Sequence, residues 1–206
     1  MKKIKELLKP FIAIIFGALL FLFFFNYLGL GGSGLAIGIV AIVLSVYFLV
    51  VGILSVVLGD KLGETKKLLN LIGVATFSLF MGVIFLLTLI GNARNDRTYL
   101  GPNGWTIAIL SIAAAFGTGI LLIIAYFVRS KEFHRVEFLF GAIFVLALLL
   151  DVLISEGFAV ALGDIVVLQV ILYAAYASML FDVFTSLSEN KEPDDKEEHQ
   201  EEQPIE

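Results

Sequence analysis

From Pro10 to Gly59 the chain carries no charged side chain. A helix in a water-soluble fold alternates an apolar stripe with a polar one, so a run of this length belongs to helices that meet lipid on one side and each other on the other. As one helix it would be about 75 Å long, so it must turn inside itself. Leu28-Gly29-Leu30-Gly31-Gly32-Ser33-Gly34 is the breaker cluster within it. Apolar runs between charge or turn clusters predict six spans: Phe11–Gly29, Leu35–Leu58, Leu68–Ile90, Trp105–Val128, Phe138–Ile154 and Phe158–Phe181. The expected fold is all-α, a polytopic membrane protein with six transmembrane helices arranged as three hairpins.

Charge fixes the expected orientation. Of the 14 Lys and Arg, only Arg94 and Arg97 fall outside the segments that would share one side of a membrane. Lys2, Lys3, Lys5 and Lys9 precede the first span, Lys61, Lys66 and Lys67 separate spans two and three, and Arg129, Lys131 and Arg135 separate four and five. By the positive-inside rule both termini are cytoplasmic. Tyr27, Tyr99 and Trp105 then sit near the outer interface, where amphipathic rings are favoured. Residues 1–10 set Ile4, Leu7 and Leu8 among lysines, a basic amphipathic segment expected to stop at Pro10 and to lie on the anionic inner leaflet. Residues 11–187 form the membrane domain. Residues 188–206 hold nine acids and two lysines, net −7, and bury too little apolar surface to fold, so they are expected to be a disordered cytoplasmic tail. The formal net charge of −5 belongs to that tail.

Ionisable groups inside spans are functional candidates because their burial is costly. Within the expected boundaries these are Asp151 in span five and Asp164 in span six, both toward the outer face, with Glu156 at the turn between them. Three acids near one mouth can bind a cation or share a proton. Paired with Arg94 or Arg97, they form a structural latch instead. Gln169, Tyr173 and Tyr176 share a face of span six and could line a polar cavity with Asn26, Thr76 or Thr118, or simply link neighbouring helices. Small residues recur at four-residue spacing as Ala13 and Gly17, as Ser111, Ala115 and Gly119, and as Ala174 and Ser178, a pattern of close helix packing that would make span four central.

Two outer turns share a pattern. Tyr27-Leu28-Gly29 leads through Gly34 into Leu35-Ala36-Ile37, and Tyr99-Leu100-Gly101 leads through Gly104 into Trp105-Thr106-Ile107. Ser155-Glu156-Gly157 keeps only the glycine. Over most of residues 10–184 this order of apolar helix, Gly-bearing outer turn and second helix with a late glycine, as in Gly52 and Gly119, resembles the HdeD-like family of small bacterial six-helix membrane proteins. The longer connection Gly91–Gly104 and the missing late glycine in span six depart from that pattern. The resemblance implies a non-enzymatic membrane protein linked to stress tolerance.

The chain has no cysteine, which excludes disulfides, thiolate metal sites and thiol nucleophiles. No phosphate-cradling G-x-x-x-x-G-K-[ST] or serine elbow is present. Only His134 and His199 offer imidazole, in an inner loop and in the tail, too few for a histidine-based zinc site. Basic residues lie at membrane boundaries without base-reading aromatics, so nucleic acid is not an expected partner, and no cofactor is implied. The expected role is a non-enzymatic accessory, assembly or stress-tolerance protein of the bacterial plasma membrane, whose partners are the lipid bilayer and a membrane protein or a second copy. The rival is transport: a small-solute binding subunit, resembling the six-helix substrate-binding components of energy-coupling-factor importers in its small residues Ala13 and Gly17, or a cation or proton carrier using Asp151 and Asp164.

Overall fold

A computed structural model describes residues 2–29, 32–94, 101–128, 131–154 and 165–189. Six long helices account for nearly all of them: α1 Lys2–Phe25, α2 Ser33–Leu58, α3 Gly63–Arg94, α4 Gly101–Phe127, α5 Lys131–Ile154 and α6 Ile165–Glu189, with 3-10 turns at Asn26–Gly29 and Gly59–Leu62. There is no strand among the described residues. Six helical stretches are long and apolar enough to cross a membrane, Pro10–Gly29 (α1 with the 3-10 turn that follows it), Gly34–Leu58, Gly63–Gly91, Thr106–Phe127, Phe133–Leu150 and Val167–Ser188.

Helices α3 and α4 start a few residues before the expected spans, at Gly63 and Gly101, and three further boundaries change the reading. Pro10 does not stop the N-terminal segment; α1 runs through it without interruption. Proline removes one backbone donor, but membrane helices tolerate that loss where a neighbouring helix packs closely. Here Gly52 of α2 supplies the close approach, its missing Cβ falling 3.1 Å from the Pro10 carbonyl oxygen. Helix α5 begins at Lys131 and not at Phe138, so His134 and Glu137 are helical. Helix α6 extends beyond Phe181 to Glu189, because no Gly or Pro interrupts the chain there. Ser188 and Glu189, expected in the tail, are thus helical, and the remainder of the tail lies outside the described residues. The α2–α3 connection is short because Gly59 and Gly63 adopt φ of +51° and +42°, a left-handed conformation that costs a glycine little.

The distribution of side chains is inverted relative to a protein in water. In α2, Val43 and Val57 are 63% and 72% exposed while Ser45 is fully buried. Ile39, Val46, Val50 and Ile53 are among the other exposed apolar side chains, and Leu44, Phe48 and Val51 join Ser45 inside. That arrangement suits a hydrocarbon solvent, which rewards interhelical packing and hydrogen bonding more than the hiding of valine.

Sequential helices pack side by side: α1 on α2, α3 on α4, and α4 on α5. In the first two pairs a late glycine makes the closest approach. A Cβ on Gly52 would meet Ile14 Cγ1 at 2.6 Å, and one on Gly119 would meet Leu79 Cγ at 2.6 Å and the Ala75 carbonyl at 3.0 Å. The small-residue faces at Ala13 and Gly17 and at Ser111, Ala115 and Gly119 are buried as expected. Ala174 is exposed, however, and α6 packs instead through Leu172, Tyr173, Tyr176, Leu180, Val183 and Phe184. Span four is not central either. Helix α6 touches α1, α3 and α5, whereas α4 packs on α3 and α5, and the span within α3 is the most buried. Small residues shorten the distance to one neighbour; they do not set how many neighbours a helix has.

Candidate functional site

The expected outer cluster is only partly described. Asp151 lies in the last turn of α5 and Arg94 ends α3, but both side chains lie outside the described residues, as do Glu156, Asp164 and Arg97 altogether. Gln169 is described. It is half-buried one turn above Tyr173 on α6, and its Nε2 donates to the Tyr173 hydroxyl at 3.2 Å. Thr76 does not share that face: it is exposed, and its hydroxyl donates to the Ile72 carbonyl of its own helix. The side chain of Asn26 lies outside the described residues.

Tyr176 sits fully buried where α1, α3, α5 and α6 converge. Its ring lies 4.8 Å from Phe77, 5.6 Å from Phe144 and 6.2 Å from Phe16. Phe16 also packs edge-on against Phe48 and Phe77. The Tyr176 hydroxyl meets Ser78 of α3, whose own hydroxyl donates to the Val74 carbonyl. Serine has one proton to give, so the tyrosine is the donor to Ser78 Oγ. Two further interhelical bonds share this logic. Ser45 donates to the Gly17 carbonyl at 2.7 Å, joining α2 to α1, and Tyr47 donates to the Leu69 carbonyl at 2.7 Å, joining α2 to α3. Gly17 permits the first: a Cβ there would stand 2.9 Å from the Ser45 carbonyl oxygen. Thr118 of α4 is buried with no hydrogen-bond partner among the described residues.

The buried charge that the sequence reading missed lies at the opposite end of α5 from Asp151. Glu137 is completely buried, and its Oε2 lies 3.3 Å from Nδ1 of His134, one turn earlier and 24% exposed. Helix α6 closes over this pair through Phe184, whose ring is 6.3 Å from His134 and 5.6 Å from Phe138. Gly141 makes room for it, since a Cβ there would meet Phe184 Cζ at 2.5 Å. On the same turn of α6, Asp182 is half-buried, and its backbone carbonyl accepts from the Thr185 and Ser186 hydroxyls. The signal was present as a His and a Glu three apart among Phe133, Val136 and Phe138, but the charge of Arg135 made the segment read as a loop. Chemically, a carboxylate and an imidazole in contact can hold, share or pass a proton.

No protein-family model, curated protein or solved structure matches this chain.

Proposed function

We propose that the chain is a non-enzymatic multi-pass protein of the bacterial plasma membrane, acting as an accessory, assembly or stress-tolerance factor through helix packing and protein partners. In this reading its six helices form three hairpins with both termini in the cytoplasm. The asymmetry of lysine and arginine supports the orientation. Close glycine contacts within α1–α2 and α3–α4 support the hairpins. A distant relation to the HdeD-like family, resting on Gly52, Gly119 and the outer-turn pattern, is part of the proposal.

The observation that carries it is the use made of buried polar side chains. Ser45, Tyr47 and Tyr176 each bond to a neighbouring helix, tying α2 to α1, α2 to α3, and α6 to α3. Side chains arranged to fix helices against one another suit a scaffold whose lipid-facing surface meets other membrane segments. Purification from native membranes in mild detergent, with light scattering and mass spectrometry, tests this. A stoichiometric protein partner or homo-oligomer is expected; a stoichiometric small solute or cation without a protein partner makes transport the better reading.

A further inference from the structure

We propose that a water molecule is bound in the middle of the bundle, between Thr118 of α4 and the hydrogen-bonded Tyr176 and Ser78 of α6 and α3. The inference holds whichever way the bundle faces and does not depend on the scaffold reading. Thr118 is fully buried, and its hydroxyl has no hydrogen-bond partner among the described residues. Thr76, Ser78 and Ser111 behave otherwise: each donates to the carbonyl four residues earlier in its own helix. Thr118 does not make that local bond, so its oxygen is presented to the interior. A buried hydroxyl left without a partner is costly, which marks the position as one for a hydrogen-bonding guest.

The packing of α4 shows where that oxygen is aimed. Consecutive helical side chains point about 100° apart. A Cβ on Gly117 would run into the Phe140 ring of α5, and one on Gly119 would meet Leu79 Cγ of α3 at 2.6 Å. Thr118 lies between these two directions and on the sheltered side, since Ile120 and Ile123 occupy the exposed face. It therefore points into the space bounded by α3, α5 and α6. The level along the bundle is set by the α3–α4 contacts: Gly119 stands against Ala75 and Leu79, and Gly82 against Phe116. Ser78 falls between Ala75 and Gly82, and Thr118 between Phe116 and Gly119, so the two share a level. Ser78 is fully buried and joined there to the Tyr176 hydroxyl.

The direction of the existing bonds selects the guest. Ser78 spends its proton on the Val74 carbonyl, and Tyr176 spends its proton on Ser78, so the pair retains only acceptor capacity. Thr118 has a proton to give. A guest that accepts from Thr118 Oγ1 and donates to Tyr176 Oη completes a chain running from Thr118 through the guest, Tyr176 and Ser78 to the Val74 carbonyl. Water is the smallest molecule that does both, and successive bonds pointing the same way strengthen one another. The chain ties α4 to α6 and α3, to which its own buried side chain makes no described hydrogen bond.

The test uses the full chain in lipid nanodiscs with methyl-labelled threonine. Magnetisation transfer from water should reach the Thr118 methyl, assigned by its loss in Thr118→Val. It should not reach the Thr76 methyl, which lies at a similar level of α3 but is exposed, with its hydroxyl bonded to its own helix. Thr118→Val keeps the shape and removes the hydroxyl, so it should lower the melting temperature by about 2–4 °C. Combined with Tyr176→Phe it should cost less than the sum of the two, whereas Thr118→Ser, which keeps a hydroxyl, should retain the coupling to Tyr176. A Thr118→Val protein as stable as wild type or more so would mean a hydroxyl that gains nothing from a guest, and would overturn the proposal. Strict additivity with Tyr176→Phe, or a Thr118 methyl as dry as that of Thr76, would overturn it equally.

Discussion

At the scale of single residues, the fold depends on a few small or hydroxylated side chains that let backbones meet. Gly52 and Gly119 stand at matching places in α2 and α4, each facing the preceding helix at a distance no Cβ could tolerate. Leucine at either position has to push the partner backbone away as well as displace a side chain. We expect Gly119→Leu to destabilise the protein by about 1–3 kcal/mol or more, read as a lower melting temperature in detergent; an unchanged melting temperature would mean that α3 and α4 do not pack at Ala75. Ser45 acts through its hydrogen bond to the Gly17 carbonyl. Ser45→Ala removes the donor but leaves a side chain that fits, so the expected loss is about 1 kcal/mol, smaller than that of the glycine variant. An equal or larger loss would show that the hydroxyl contributes more than one interhelical bond.

At the scale of elements, the number and type of helices were legible because polar backbone groups in lipid must be satisfied within the chain, and apolar runs of about 20 residues do so as helices. Their ends and their charged contents were not. Counting hydropathy to the first charge placed the start of span five at Phe138 and hid Glu137, although four further residues of helix, Phe133 to Val136, separate it from the helix start at Lys131 and Glu132. Pro10 was read as a stop because proline breaks soluble helices, whereas its carbonyl faces a glycine of α2. The order of helices around α6 depends on tertiary packing that periodicity does not encode. The outer acids present the converse case, legible as a cluster in sequence and tested by substitution. If Asp151 at the end of α5 pairs with Arg94 at the end of α3, Asp151→Asn and Arg94→Gln should each destabilise, and together they should be less than additive by about 0.5–3 kcal/mol in a double-mutant cycle. Strict additivity, with cation-dependent stabilisation of the wild type lost in Asp151→Asn, would favour an ion site.

For the whole molecule, the inverted surface, the absence of cysteine and the uneven basic residues bear on one question, which way the bundle faces. Orientation follows from where lysine and arginine accumulate near helix ends; acids count for little in that rule, so the net charge of −5 does not oppose it. The expected arrangement puts Gly91–Gly104 outside and the acidic C-terminal segment inside, with the His134–Glu137 pair toward the cytoplasm and Asp151 toward the exterior. Because the chain contains no cysteine, single cysteines at Asn95 and Glu201 report position without background. An impermeant thiol reagent applied to intact cells should label position 95 and leave 201 protected until the membrane is opened. The opposite pattern would reverse the bundle and place the His134–Glu137 pair toward the outer face; labelling of both would break the six-span topology itself, since three spans separate the two positions and must put them on opposite sides.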